Sequence, residues 1–482
     1  MSALSLRRSP ALLVVACVLV CSRAAALPAD ELLRIRILTR HQPETVELSG
    51  EEGLLLFAGA NVEPLHRLAP GEIAALSVRG SEVFVEMGDL RLNALSLRAV
   101  PTAGGALTVR VARGASPGLS RRYGGSLSVS AEGGQLQLVN HIDVETYVAS
   151  VVGSEYGFDD LEGAKAMAVI IRTYALRALG KFGEAYDHVD HTLSQVYTGL
   201  DAITPTAREA ARLTAGEILT YDGHPVEAVY FAASGGHTAD NDAVWNTPPR
   251  PYLRGRPDPY DRSPHATWQF VAPRKALLDA LSEAFGFRVE GFLIEARSRD
   301  GRVQTITLLG NPERSVSGND FRLAVLRRFG TTSLKSTLFD ARVRGNEYVF
   351  DGRGFGHGVG LSQWGAHEMA RQGHTYRDIL AFYYTNVTLQ KGADYAALLK
   401  REVTPAVTGR TTTAPIEPPP VRSGAGPAEA RNARRAAAEA APPPPTVTPG
   451  AGVPSWTGVF RPATSASPAR DDARRPGRRI GW

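Results

Sequence analysis

Residues 150–176 read SVVGSEYGFDDLEGAKAMAVIIRTYAL, two apolar helical stretches that meet at a polar break. Glu155 stands in that break between Gly153 and Gly157. A carboxylate in such a position can be a helix cap, a turn residue or an active-site acid. The three alternatives predict different proteins, so the surroundings of this stretch decide both the fold and the function.

The first apolar stretch begins after Asp143, which is a suitable N-cap residue. The apolar positions that follow have the spacing of one helical face: Val144, Tyr147, Val148, Val151 and Val152. Gly153 is the expected end of this helix. Asp159 or Asp160 is expected to cap a second helix, whose predicted buried positions are Ala164, Ala168, Ile171, Ala175 and Leu179.

Short apolar runs separated by glycine-containing turns fill residues 33–139 and predict a β-rich N-terminal half. Further along, residues 205–217, 274–285 and 362–386 have helical composition, and strands are expected between them. Because no regular βαβ alternation occurs, the predicted fold class is α+β rather than a doubly wound sheet. The β-rich half carries no cluster of catalytic residue types.

The net charge of +5 is unevenly distributed. Residues 1–26 contain three Arg and no acidic residue, and residues 401–482 contain 12 Arg against six acidic residues, which leaves 39 basic and 43 acidic residues for 27–400. The folded part therefore lacks the basic patch expected of a nucleic-acid-binding domain. The segment after about Lys400 also contains 15 of the 32 prolines, a composition typical of a disordered tail.

The N-terminus has the layout of a secretory signal peptide. Arg7 and Arg8 precede the apolar run ALLVVACVLV, and an A-x-A-like site ends at Ala26. The run is short for a membrane span, and a retained anchor is the alternative. Both cysteines, Cys17 and Cys21, lie in this segment, so cleavage would leave no thiol. We expect an exported protein of the periplasm or extracytoplasmic cell envelope.

Glu155 follows the valine stripe by about one turn, where helix carbonyls point outward. The negative end of the helix dipole and an apolar environment would both raise the pKa of this carboxyl group. A raised pKa keeps a proton available near neutrality, as a general acid requires. An ordinary solvated glutamate is the alternative, and position alone favours it because most glutamates are exposed.

Residues 352–360 alternate glycine with other residues around His357. No glycine triplet has the spacing of a dinucleotide-binding fingerprint. An extended strand with one face free of side chains would allow a ligand to approach closely. Ser362, Gln363 and Trp364 follow and provide two hydrogen-bonding groups and an aromatic ring, which suits sugar recognition. Packing of the glycines against another backbone is the alternative.

Ser234, Gly235 and Gly236 predict a turn that exposes backbone N–H groups to a ligand. The histidine pairs His188/His191 and His367/His374 lack the spacing of a zinc-binding helix, so we expect solvated histidines and no metal.

Several motifs together resemble the stage II sporulation protein D (SpoIID/LytB) family. They are DVETYVASVVGSE, AKAMAVIIRTYAL, SQVYTG, ASGGHT, VW, PYLRG, DPYD, VSGNDFR and GRGFGHGVGLSQWGA, in the family's order and spacing. The resemblance extends from about residue 123 to 389. It divides the chain into a signal peptide (1–26), a β-rich region (27–122), a SpoIID-like catalytic core (123–395) and a basic Pro-rich tail (396–482).

The resemblance implies a lytic transglycosylase that cuts peptidoglycan glycan strands without a cofactor. The family's catalytic glutamate falls on Glu155, and Arg172 and Tyr174 match positions near it. His357, Ser362 and Gln363 match a segment that looks like part of the cleft. One carboxyl group would act first as acid and then as base; Asp258 or Asp261, if it lined the cleft, would instead permit hydrolysis.

Three departures from the family pattern are present. Tyr156-Gly157 replaces the usual Met-Pro after the glutamate, and Met167 replaces a usual Gln. Ser194 stands where some members have a zinc-binding Cys.

Two other functions remain open: a non-catalytic peptidoglycan-binding protein that stimulates an N-acetylmuramoyl-alanine amidase, and a structural envelope protein whose tail engages partners. Contact with a membrane is expected only through an uncleaved signal.

Overall fold

The computed structural model describes residues 32–245 and 247–391. The predicted signal peptide and the Pro-rich tail (396–482) lie outside the described residues. Helices and several separate sheets occur together, which confirms the α+β class.

The N-terminal half is built from β-strands, as the apolar runs predict. The strands up to residue 142 are β1 (Leu33–Ile37), β2 (Thr45–Gly50), β3 (Leu54–Ala58), β4 (His66–Leu68), β5 (Ala74–Arg79), β6 (Glu82–Met87), β7 (Leu90–Ala94), β8 (Ser96–Pro101), β9 (Leu107–Arg113), β10 (Ser120–Tyr123), β11 (Ser126–Glu132) and β12 (Gln135–Ile142). In β1, Leu33, Ile35 and Ile37 are buried and alternate with partly exposed residues, as expected of a strand with one face on a core.

Two sheets pack against each other in this half. One has the order β13-β1-β12-β11-β8-β3-β4, where β13 is His188–Val189, and the other has the order β10-β9-β2-β5-β6-β7. The first sheet continues across residue 122, since β1 pairs with β12 and β8 with β11. Its core is continuous with that of the helices that follow, so the β-rich half directly supports the helical part.

The remaining chain contains the helices and shorter strands. The helices are α1 (Val144–Glu155), α2 (Leu161–Arg177), α3 (Pro205–Leu213), α4 (Asn241–Trp245), α5 (Arg274–Phe285), α6 (Gly318–Phe329), α7 (Gln363–Arg371) and α8 (Tyr376–Tyr383). The strands are β14 (Ile218–Tyr221), β15 (His224–Pro225), β16 (Tyr230–Phe231), β17 (Trp268–Pro273), β18 (Val289–Arg297), β19 (Val303–Gly310), β20 (Arg314–Ser317), β21 (Phe339–Arg344), β22 (Glu347–Gly352), β23 (Leu361–Ser362) and β24 (Thr388–Gln390).

Helix α2 is the centre of the helical part. It is capped by Asp160, whose side chain accepts a hydrogen bond from Gly163, and contacts α1, α3, α7 and α8. Buried residues lie on nearly all of its sides, which is typical of a helix surrounded by protein. The predicted buried positions are confirmed except Leu179, which lies beyond the helix end and is half-buried.

Two boundaries differ from the prediction. The expected helix over 362–386 is divided into α7 and α8, because Gly373 adopts a left-handed conformation (φ 86°) and Thr375 with Asp378 forms a capping box that starts a new helix. One of the strands expected between the helical segments has only two residues, Tyr230–Phe231. Within the described ranges, no helix has both the length and the apolar character that crossing a bilayer requires.

Residues 268–352 form a subdomain with a hydrophobic core of its own. It consists of the sheets β17-β22-β21 and β18-β19-β20 with helices α5 and α6. Because β17 pairs antiparallel with β22, Trp268 lies opposite Gly352, and the chain enters and leaves the subdomain at neighbouring points. Gly352 leads directly into the glycine-rich segment, which returns to the helical part.

Candidate active site

Glu155 is the last residue of α1. The helix begins where the sequence predicts, with the Asp143 carboxylate accepting a hydrogen bond from Thr146 N at 2.9 Å. The predicted stop at Gly153 is wrong. A side chain at Gly153 would place its Cβ 2.0 Å from the carbonyl oxygen of Ala202, so glycine is needed here for close packing of a neighbouring segment, and the helix continues to Glu155.

The Glu155 carboxyl group is buried, with 6% of the residue exposed. Its Oε1 atom accepts hydrogen bonds from Val196 N (2.9 Å) and from the Tyr230 hydroxyl (3.2 Å). Burial raises the pKa of Glu155 to about 7, and the two hydrogen bonds oppose that rise because they favour the charged form. Oε2 has no hydrogen-bond partner among the described residues. The proton of the neutral form is therefore expected on Oε2, since Oε1 already accepts from two donors.

A chain of hydrogen bonds continues away from Glu155. The Tyr230 hydroxyl lies 3.5 Å from Gln195 Nε2, and Gln195 Oε1 accepts from the Tyr147 hydroxyl at 3.1 Å. Sequence reasoning did not assign a role to any of these three residues. Gln195 and Val196 lie in the motif SQVYTG, and Tyr147 lies on the apolar stripe of α1, but only the tertiary fold shows that these groups meet at Glu155.

The glycine-rich segment is not the extended strand that its alternation predicts. Gly354, Gly356, Gly358 and Gly360 have φ values of 73°, 105°, 88° and 78°, a region that favours glycine. Their missing side chains would collide with protein atoms: Ala233 O, Phe231 Cβ, the Arg302 guanidinium and Val229 O, respectively. These glycines therefore allow close packing of the segment against residues 229–235 and the Arg302 side chain, and the expected free face for a ligand is absent at these positions.

His357 is half-buried at the centre of this segment. Its Nδ1 accepts from Val359 N at 3.1 Å, which leaves the other ring nitrogen to donate to the Tyr230 carbonyl. Burial and the nearby Arg322 charge lower the pKa of His357 to about 3, so the ring is neutral at physiological pH. The imidazole packs between Phe231 and Trp245, with ring centroids 5.5 and 4.9 Å away.

The three residues that follow the glycines have different environments. Ser362 is buried and caps α7, with its Oγ accepting from Gly365 N, so the expected contact with substrate is wrong for this side chain. Gln363 Nε2 donates to the backbone carbonyl of Glu155 at 3.1 Å and fixes the end of α1. Trp364 is half-buried, with its ring 4.8 Å from Phe158. Of the three, Trp364 retains a surface that a sugar ring can contact.

The turn at Ser234, Gly235 and Gly236 runs from a buried serine to an exposed glycine, and its N–H groups are hydrogen-bonded within the protein. Gly235 N and the Ser234 hydroxyl donate to Asp261, and Gly236 N donates to Ser234 Oγ. The predicted exposure of these N–H groups to a ligand is wrong, because Asp261 and Ser234 already accept from them. Asp258 is similarly occupied: it accepts from the Tyr383 hydroxyl at 3.1 Å, and burial raises its pKa. Both aspartates already accept hydrogen bonds from within the protein.

Arg172 does not face a ligand site. The side chain is fully buried and forms a bidentate ion pair with Glu145, with Nε 2.9 Å from Oε1. It also donates to the Glu217 carbonyl oxygen, so it joins α2 to α1 and to the start of β14. The expected substrate contact is wrong for Arg172. Tyr174 is half-buried, and its hydroxyl accepts from Lys181 Nζ at 3.3 Å, on the side of His188.

Arg172→Ala is expected to lower the free energy of unfolding by roughly 3 kcal/mol, the low end for a broken buried ion pair because Glu145 remains a third exposed. Urea denaturation measures the change. Arg212→Ala is the matched control: its pair with Glu209 is largely exposed and screened by solvent, so the free energy of unfolding is expected to stay close to that of the wild type. Unchanged stability together with weakened glycan binding would restore a ligand-contacting role for Arg172.

Histidine and serine positions considered for metal binding serve internal contacts. The prediction of a solvated side chain is wrong for His188, which is buried with its Nε2 2.9 Å from the Ala175 carbonyl oxygen. Ser194 Oγ accepts from Val189 N. Across residues 32–245 and 247–391, no group of three or more His, Cys, Asp or Glu side chains is placed to hold a metal ion.

Fold and site together define an α+β protein with one buried, protonatable glutamate at a helix end. The family model described as stage II sporulation protein matches residues 132–221, which include both Glu155 and Val196. Stage II sporulation protein D of Bacillus amyloliquefaciens is 30% identical over 312 residues, covering 60% of this chain and 85% of that protein. The chain belongs to the stage II sporulation protein D family.

Two further relatives are informative. Stage II sporulation protein D of Bacillus subtilis (strain 168) is 30% identical over 279 residues, or 53% of this chain and 76% of the relative. The amidase enhancer of the same organism is 26% identical over 278 residues, or 48% of this chain and 38% of that longer protein.

Proposed function

We propose that this protein is a lytic transglycosylase that cleaves peptidoglycan glycan strands, including strands stripped of their peptides, and leaves 1,6-anhydro-muramyl ends. The observation that carries the proposal is Glu155, a buried carboxyl group whose pKa is raised to about 7 and whose Oε2 has no partner among the described side chains and backbone groups. A group that titrates near neutrality can serve both as acid and as base.

The proposed reaction uses this one group twice. Oε2 first donates its proton to the glycosidic oxygen, and the bond from that oxygen to C1 of the muramic acid breaks. The C6 hydroxyl oxygen of the same sugar then forms a bond to C1 while its proton passes to the Glu155 carboxylate. The acid is thereby regenerated and no water is consumed. Since the nucleophile is already attached to the substrate, positioning replaces the activation of a water molecule.

A hydrolase would need a second carboxylate as base or nucleophile. Asp258 and Asp261, the two candidates, are held by Tyr383 and by the 234–236 turn. This engagement favours the intramolecular reaction. Tyr230 and Val196 are positioned to stabilise the carboxylate after the proton has left, because both donate to Oε1.

The product distinguishes the two reactions. Full-length protein incubated with peptide-stripped glycan strands in heavy-oxygen water is expected to give anhydro-muramyl ends, one water lighter than hydrolysis products and free of the label. Mass spectrometry of the fragments measures both properties. Reducing ends that carry the heavy oxygen would instead establish hydrolysis and would contradict the proposed reaction.

A second function is favoured by the similarity to the amidase enhancer. In that case the protein binds glycan without cutting it and stimulates an N-acetylmuramoyl-alanine amidase in the cell envelope. Binding of the glycan with no fragments formed, together with faster release of peptides by an added amidase, would support this alternative. Both functions place the protein outside the cytoplasm, in agreement with the predicted signal peptide.

A further inference from the structure

A groove of about 750 Å³ lies between α4 and the 268–352 subdomain. Its wall includes two aromatic residues and four side chains with neutral hydrogen-bonding groups: Trp245, Phe285, Gln304, Thr305, Ser315 and Asn319. Trp245 comes from α4, whereas the neutral polar residues come from β19, β20 and the first turn of α6. The subdomain therefore contributes most of this surface.

We infer that this groove is a distal glycan subsite, in which Trp245 stacks on an N-acetylhexosamine unit several sugars away from the bond that is cut. The inference rests on the proposed glycan substrate and extends it, because it assigns part of the substrate recognition to the 268–352 subdomain.

The charged groups of the groove are already engaged within the protein. Asp242 pairs with Arg254 at 2.6 Å, and Arg314 donates to the Phe285 carbonyl oxygen. Asp320 is hydrogen-bonded to Ser317 at the start of α6. Asp242 is neutralised by Arg254, and the opposite charges of Arg314 and Asp320 are each hydrogen-bonded to a neutral group. These residues therefore give the groove no excess of one charge sign, and an acidic or basic polymer gains little net attraction there.

The neutral polar side chains are available instead. Gln304, Thr305 and Asn319 form no side-chain hydrogen bonds within the described residues, and each is partly exposed. Amide and hydroxyl groups beside an aromatic ring match an N-acetylated sugar, whose hydroxyl and acetamido groups are neutral and whose ring has apolar C–H faces. Trp245 is half-buried and lines the groove.

Aromatic rings connect the groove to Glu155. The Trp245 and His357 ring centroids are 4.9 Å apart, and those of His357 and Phe231 are 5.5 Å apart. Phe231 follows Tyr230, whose hydroxyl donates to Glu155. Because both nitrogens of His357 are hydrogen-bonded to backbone and the ring stays neutral, this imidazole holds Trp245 in place without adding charge. Trp245 is therefore linked by ring contacts to the residue that follows Tyr230.

The test uses the full chain carrying Glu155→Gln, so that glycan binds without being cut. Isothermal titration calorimetry with the hexamer of N-acetylglucosamine measures the affinity. Trp245→Ala is expected to weaken binding by about three- to tenfold, the range for loss of one aromatic contact. Gln304→Ala, which removes no packing residue, is expected to weaken it by about threefold. Arg288→Ala, on the same subdomain and largely exposed, is the matched control and is expected to bind as the parent does.

Equal affinity in Trp245→Ala, Gln304→Ala and the parent would overturn the subsite, as would a parent that does not bind the hexamer. If Trp245→Ala fails to fold by circular dichroism, Gln304→Ala decides alone. The result is separable from the proposed reaction: weakened binding in these variants supports the subsite even if the wild type forms no anhydro ends. Conversely, if the wild type forms anhydro ends but the Trp245→Ala and Gln304→Ala variants bind the hexamer as the parent does, the proposed reaction is supported and the subsite is contradicted.

Discussion

Glu155→Gln is expected to reduce the rate of glycan cleavage by a factor of about 10³–10⁴, at the upper end of what one general acid contributes. The amide is nearly isosteric, but it carries no proton that it can donate to the glycosidic oxygen and cannot accept one from the C6 hydroxyl. The interaction of the side-chain oxygen with Val196 N and the Tyr230 hydroxyl can persist. The initial rate at which anhydro-muramyl ends form from peptide-stripped strands measures the effect.

Asp159→Asn is the matched control, because Asp159 lies four residues further along the chain and is exposed. The same change from carboxylate to amide is expected to leave the rate within about twofold of the wild type, as is usual for surface substitutions. Cleavage that survives Glu155→Gln at the wild-type rate would remove the proposed acid. Loss of glycan binding in that variant would show that the residue acts by shaping the site rather than by proton transfer.

The position of Glu155 could be predicted because local rules determine it. A capping aspartate, an apolar stripe with helical spacing and a polar break are all visible in one short stretch, and the helix begins where they indicate, although it ends at Glu155 rather than at Gly153. The strands of the N-terminal half are equally local, since alternation alone specifies which residues are buried. The raised pKa follows from burial at the end of that helix.

The neighbours of Glu155 could not be predicted in this way. Tyr230 and Val196 contact it from segments that are distant in sequence, and no local periodicity encodes these contacts. Arg172 has the residue type of a ligand-binding group, yet its partner Glu145 lies one helix away and removes it from solvent. Whether such a polar residue faces a ligand or the interior depends on tertiary partners.

The glycine-rich segment illustrates a second limit. Strict alternation fits both an extended strand and a series of left-handed turns, because glycine adopts either conformation at little cost. Residues 229–235 and the Arg302 side chain decide between them, since they occupy the space that four side chains would fill. The independent core of residues 268–352 was also missed, because its helices and strands have ordinary local patterns.

In the pH profile of glycan cleavage, kcat/KM is expected to fall on the alkaline side (the alkaline limb) with a midpoint near pH 7, because burial raises the pKa of Glu155 to about 7. Only the protonated form can donate, so kcat/KM is expected to fall about tenfold for each pH unit well above that value.

The free energy of unfolding is expected to depend on pH through the same Glu155 carboxyl group. The folded-state pKa lies above the ordinary value of 4.5, so the stabilising contribution is present below pH 4.5 and is lost as pH rises through 7, by about 3 kcal/mol in total. Urea denaturation across this range measures the loss, and Glu155→Gln is expected to lack it.

Tyr230→Phe tests whether ionisation of Glu155 causes the alkaline limb of the pH profile. The Tyr230 hydroxyl donates to Oε1 and favours the ionised carboxylate, so its removal is expected to raise the pKa of Glu155 further and to move the alkaline limb to higher pH. The ring remains in place, which keeps the packing of β16 against β23. A limb that stays at the same pH in Tyr230→Phe, or that persists in the residual activity of Glu155→Gln, would assign the titration to another group. An upward shift, in contrast, would tie the proton that cleaves the glycan to the one buried carboxyl group at the end of α1.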